Sequence, residues 1–131
     1  MNLDHFHSLR AAGEHDRACE LIVQWAAQAP ADADLQYEAA CVHDFLGREA
    51  DAVAYYVAAL ALPLSREKLR SAYLGLGSTY RTLGRYASAE QTLLKGLSLF
   101  PEANELKVFL AMARHNLGQS KPAVESLLAL L

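Results

Sequence analysis

Apolar residues return along this chain at helical spacing, in stripes broken by short polar turns that each carry one glycine. In the third stretch Tyr73, Leu76, Gly77 and Tyr80 fall at i, i+3, i+4 and i+7, one face of a helix. Ala89, Leu93, Gly96 and Leu97 trace a second such face beyond the turn. Read this way throughout, the pattern predicts eight helices, at 3–12, 15–29, 33–46, 49–62, 66–83, 86–99, 103–117 and 120–131. Ser65 and Asn104 are predicted N-caps, and Ser120 with Pro122 opens the last helix.

The stripes repeat. Gly13, Gly47, Gly84 and Gly118 stand at intervals of 34, 37 and 34 residues. Five residues after each comes an alanine: Ala18, Ala52, Ala89 and Ala123. Four after each alanine comes a large apolar residue: Ile22, Tyr56, Leu93 and Leu127. The longer interval puts three extra residues at Pro63–Lys68, lengthening a loop or extending the fifth helix backwards by a turn.

The third block, Tyr73-x-x-Leu76-Gly77-x-x-Tyr80 followed by Gly84, Ala89-x-x-x-Leu93, Gly96 and Pro101, resembles the tetratricopeptide repeat, whose period is about 34 residues. The resemblance implies an all-α fold, a superhelix of antiparallel helix pairs. The whole chain reads as one domain, with repeats approximately at 1–30, 31–64, 65–103 and 104–131. Other blocks depart from the pattern. Gln36, Ala40 and His43, then Lys107, Ala111 and Arg114, stand where the family favours Trp, Gly and Tyr. Trp25 replaces a small residue in the first block.

The resemblance implies that first helices line a concave groove for a peptide or partner helix. Residues off the packing stripes are the candidates: Tyr37, Cys41, Asp44 and Phe45, then Leu74, Ser78, Arg81 and Thr82, then Val108, Met112, His115 and Asn116. The mixture suits an amphipathic segment, with Asp44 available to pair with Arg81. Some family members hold heat-shock chaperone tails with a clamp of lysine, asparagine and arginine. Matching positions here carry Leu3, His7, Glu38, Ser71 and Gly75, which lack the cations a terminal carboxylate requires. Self-association as a homodimer is a further expectation, through Ala54, Val57 and Ala58 or through Leu128 and Leu131 near the end of the chain.

Composition narrows the function classes. Hydrophobic residues make up 53%, too many for a disordered chain, and the net charge of −3 without like-charge runs argues against a nucleic-acid partner. The longest uncharged run, Ala52 to Ser65, contains Pro63 and is too short to span a bilayer, so no membrane partner is expected. Neither a signal-peptide pattern nor a disulfide framework is present, and a cytoplasmic location is expected.

No cofactor and no catalysis are expected. His5 and His7 diverge on a helix, and Cys41 with His43 is a weak nucleophile–base pair for the same reason. His43 reads as a satisfied core histidine and Cys19 as packing. No HExxH or phosphate-cradling glycine loop occurs. The sequence therefore points to a protein-binding adaptor. A small chaperone shielding apolar client segments is the alternative, and an enzyme or metal protein on the same stack stands further off.

Overall fold

The computed structural model describes residues 1–130, with Ser120 described by its backbone alone. Among them are eight helices and no strands: α1 (Leu3–Ala11), α2 (His15–Gln28), α3 (Ala33–Phe45), α4 (Glu49–Leu60), α5 (Arg66–Thr82), α6 (Tyr86–Leu99), α7 (Asn104–Asn116) and α8 (Ser120–Leu128). Each predicted helix is present: α6 has the predicted bounds, the other seven end one to three residues earlier than predicted, and α7 also begins one residue later.

The four marker glycines close the first helix of every pair by one device. Gly13, Gly47, Gly84 and Gly118 have φ of 80°, 73°, 77° and 82°, a left-handed conformation that a side chain would strain. At the third turn the Gly84 amide donates to the Arg81 carbonyl and the Arg85 amide to the Tyr80 carbonyl, at 3.0 and 2.9 Å. The other three turns show the same paired bonds, which satisfy the carbonyls left over at a helix end.

Helix starts are less uniform. Asn2, Asp32 and Ser65 accept hydrogen bonds from Asp4, Leu35 and Lys68 amides through their side chains, as N-caps do. Asn104 does not cap: it is the first residue of α7, behind Ala103, whose side chain offers no acceptor and is fully buried. The three extra residues of the long interval extend α5, which has 17 residues where α3 and α7 have 13.

The chain forms two compact units, Met1–Leu64 and Ser65–Leu131. In the first, Phe6, Ala18, Ile22, Leu35, Ala39 and Val42 form the core of α1, α2 and α3, all at most 2% exposed. Trp25, which stands where α6 has Gly96, packs against this core half-buried. Gln36 also turns inward, its amide donating to the Ala26 and Pro30 carbonyls at the end of α2. In the second unit Tyr73, Leu76, Ala89, Leu93, Leu106 and Ala111 are buried between α5, α6 and α7. Close approach there depends on glycine. A Cβ on Gly77 would stand 2.5 Å from Leu93 Cδ2, and one on Gly96 would stand 2.9 Å from Tyr73 Cβ.

Candidate functional site

The first helices of each unit turn one stripe into the core and leave a neighbouring strip partly open. In residues 1–64 that strip is on α3. Tyr37, Cys41 and Asp44 are half-buried, while Phe45 is 61% exposed. The Tyr56 hydroxyl of α4 donates to Asp44 Oδ2 at 3.0 Å. Burial, with Cys41 and Asp44 nearby, pushes the Tyr56 phenol far above its ordinary value, so it stays a donor. The Phe45 ring lies 4.1 Å from the His15 imidazole, centroid to centroid, and 5.5 Å from the Arg10 guanidinium carbon. Buried Glu38 sits one position from Tyr37 and meets His7 Nε2 at 3.6 Å.

In residues 65–131 the strip is shared by α5 and α7. Leu74, Ser78 and Arg81 are half-buried, as are Val108 and Met112; Thr82, His115 and Asn116 are exposed. Arg81 Nε donates to Asn116 Oδ1 at 2.8 Å, tying the last turns of the two helices together. The hydroxyls of Ser78 and Thr82 are spent on carbonyls of α5 itself, Gly75 and Ser78. Arg70 reaches Glu105 with two nitrogens, Nη2 to Oε2 at 3.0 Å. That hydrogen bond holds the Glu105 carboxyl below its ordinary value. Within its own unit each of Asp44 and Arg81 has a side-chain partner, Tyr56 and Asn116 respectively.

One group of chemical side chains was not anticipated. His43 is buried on α3, and it meets Cys19 of α2 rather than Cys41. Its Nδ1 is 2.6 Å from the Ala39 carbonyl, which can only accept, so Nδ1 carries the proton. Nε2 is then an acceptor for the Cys19 thiol at 3.5 Å. Arg48 donates to the same sulfur at 3.4 Å and to Asp16 at 3.1 Å, and Tyr55 stacks on the imidazole. Burial nevertheless pushes the Cys19 thiol up, and it pushes Cys41 up to about 11. Neither is a ready nucleophile, because the thiolate is the reactive form. Below pH 9 both cysteines are therefore expected to label with iodoacetamide at least ~10-fold more slowly in the folded chain than in urea. Equal rates would show the thiols to be accessible and ionised.

The signal for this cluster lay in the repeat register. Cys19 and His43 occupy the positions of Glu90 and Arg114, which form an ion pair at 3.1 Å between α6 and α7. Among the described residues no group of three His, Cys, Asp or Glu side chains is placed to hold a metal. None of their helices is long and apolar enough to cross a membrane.

The residues singled out for self-association are distributed unevenly. Ala54 is exposed, Val57 is 48% exposed and Ala58 is half-buried on α4; Leu128 is 61% exposed on α8. Leu131 lies outside the described residues. Val57 is not peculiar to α4, since Leu94 at the same register of α6 is 42% exposed. Leu127, the large apolar residue that follows Ala123, is 38% exposed, whereas Ile22 and Leu93 at its register are fully buried. Those two are covered by a following first helix, α3 or α7.

Comparisons with known proteins agree with this geometry. A solved structure described as "Crystal structure of MamA" superposes with a TM-score of 0.86 at 17% identity, over 96% of this chain and 72% of that one. "MamA MSR-1 C2" gives 0.79 at 21% identity, over 90% and 66%, and "MamA AMB-1 P212121" gives 0.83 at 20%, over 93% and 70%. The chain spans about two thirds of the length of these structures, and at such identities the likeness is one of fold. No curated protein matches. A family model described as "Tetratrico peptide repeat" matches residues 33–131. The chain belongs to the tetratricopeptide repeat family.

Proposed function

We propose that this protein is a non-catalytic adaptor whose first helices hold a peptide or partner helix. The tetratricopeptide fold implies a protein–protein interaction module. The observation that carries the finer reading is the strip on α5 and α7. Leu74, Val108 and Met112 keep apolar surface half open beside Arg81 and Asn116, while the opposite stripe of the same helices is buried. An apolar strip edged by a guanidinium suits an amphipathic segment carrying a carboxylate. On α3, Tyr37, Cys41, Asp44 and Phe45 offer a second strip of mixed character. The same reading takes residues 1–131 as one domain of four helix pairs working in the cytoplasm.

The test is selection from a displayed library of 15-residue peptides, followed by affinity measurement on the whole chain. Enriched peptides are expected to lose affinity at least ~10-fold on Met112→Glu or Arg81→Glu, and less on Tyr37→Ala. Peptides that bind these variants as well as the parent would overturn the reading. A second reading, a chaperone for apolar segments, is favoured by the exposure of Phe45, Val57, Leu94 and Leu128. It requires suppression of aggregation by unrelated heat-denatured clients. A homodimer through the α4 or α8 patch remains part of the proposal, and sedimentation across micromolar concentrations reads it directly.

A further inference from the structure

Three residues before a marker glycine, the first helix of each unit carries an arginine: Arg10 before Gly13 and Arg81 before Gly84. Two residues before the next marker glycine stands its neighbour on the following first helix, Phe45 before Gly47 and Asn116 before Gly118. In residues 65–131 the pair is complete, because Arg81 Nε donates to Asn116 Oδ1 at 2.8 Å. In residues 1–64 it is not. Phenylalanine offers no acceptor in the plane of the guanidinium, and Arg10 Nε is buried with no hydrogen-bond partner. The guanidinium carbon lies 5.5 Å from the centre of the Phe45 ring, a cation–π contact that leaves the N–H unpaired. On the same ring, 4.1 Å away, stacks His15, whose Nδ1 is likewise buried without a partner. The ring that joins the two is itself 61% exposed.

Buried polar atoms in folded proteins are nearly always paired, and a donor left alone costs free energy that a bound acceptor recovers. The carboxylates nearby are engaged elsewhere: Glu14 with Arg17, Asp16 with Arg48, Glu38 with His7 and Asp44 with Tyr56. Among the described residues no ion pair reaches Arg10, the third arginine of a unit that has no lysine. Arg70 shows how this chain meets a carboxylate, with Nε and Nη2 facing the two oxygens of Glu105 side-on. The same fork on Arg10 would pair Nε and add a second, charge-assisted bond.

We propose that Arg10, Phe45 and His15 form a subsite for one acidic side chain of the partner segment, whose adjoining apolar side chain lies on the Phe45 ring. The proposal rests on the reading that first helices hold such a segment, and it names what the α1–α3 side of residues 1–64 selects. Arg10 is half-buried and its Nε is closed to water, so the carboxylate enters as the exposed Phe45 ring turns aside. The two arginines therefore differ in kind. Arg81 spends Nε on Asn116, whereas Arg10 keeps its whole fork for a ligand.

The experiment uses the full chain, labelled so that the Arg10 Nε–H and the Phe45 ring are seen by NMR. The probe is a tripeptide of leucine, glutamate and leucine, blocked at both ends. One twin carries glutamine for glutamate; another carries glutamine and a free terminal carboxylate. The glutamate peptide is expected to shift both signals saturably, at least ~10-fold more tightly than either twin. Arg10→Gln is expected to weaken it at least ~10-fold, judged by the Phe45 ring, with helix content by circular dichroism unchanged. Phe45→Asn restores the acceptor that Asn116 gives Arg81, and is expected to weaken it at least ~10-fold although Arg10 is intact. Phe45→Leu keeps an apolar contact without an acceptor and is expected to cost less than Phe45→Asn. Arg17→Gln, which removes the same charge elsewhere in the unit, is expected to change nothing. An unmoved Arg10 signal, equal or tighter binding by either twin, or indifference to Phe45→Asn would overturn the proposal. The outcome is read at Arg10 itself, so it is distinct from failure of the first-helix reading, which the library peptides report through Met112→Glu and Arg81→Glu.

Discussion

Leu93→Ala is expected to cost about 2–5 kcal/mol, and Gly77→Ala about 1–3 kcal/mol, yet the two together are expected to cost less than their sum. Leu93 is fully buried, and its Cδ2 and Cγ lie 2.5 and 2.6 Å from the place a Cβ on Gly77 would occupy. Truncating the leucine leaves a cavity; adding the methyl forces the leucine aside. With both changes the new methyl enters the vacated space. Alanine's better helix propensity, worth about 1 kcal/mol over glycine, offsets part of the single glycine change. Urea unfolding of the four proteins of this cycle checks the result. Strict additivity would mean that α5 and α6 do not meet through this pair.

The second large effect is expected in the other unit. Phe6→Ala is expected to destabilise by about 3–5 kcal/mol, because Phe6 is 0% exposed and α1 brings only one other buried residue, Leu9, to the core. α1 has nine residues, too few for a helix to persist without docking. Amide exchange across 3–11 is therefore expected to accelerate more than exchange in α3, while residues 65–131 keep their protection. Uniform acceleration along the whole chain would show that the two units unfold together.

Much of the fold was legible because its determinants are local. A glycine that must adopt positive φ, an alanine five residues later and a large apolar residue four after that each leave a mark at one position. Eight helices followed from these marks. Asn104 was misread because a helix start can be satisfied without a side-chain acceptor, and Asn104 lies one residue inside. The length of α5 could be narrowed only to a loop or an added turn, since three residues fit either.

The candidate strips were legible as lists, and their partners were not. Tyr56 to Asp44, Arg81 to Asn116, and the meeting of Cys19, His43 and Arg48 join residues from different helices. Register analogy would have found the last, since Glu90 with Arg114 is the same contact in another pair of residues. The exposure of Leu127 followed a different logic: its residue type matches Ile22 and Leu93, but burial depends on what lies over it.

By itself the sequence determined the helices, their turns, the pairing of first with second helix and the family. Each of these rests on spacing within one repeat, which backbone geometry and side-chain size read directly. Only the tertiary structure decided which polar groups are satisfied, which thiols are held protonated and which apolar side chains remain open. Those outcomes depend on desolvation and on neighbours from other helices, and a list of residues does not contain either.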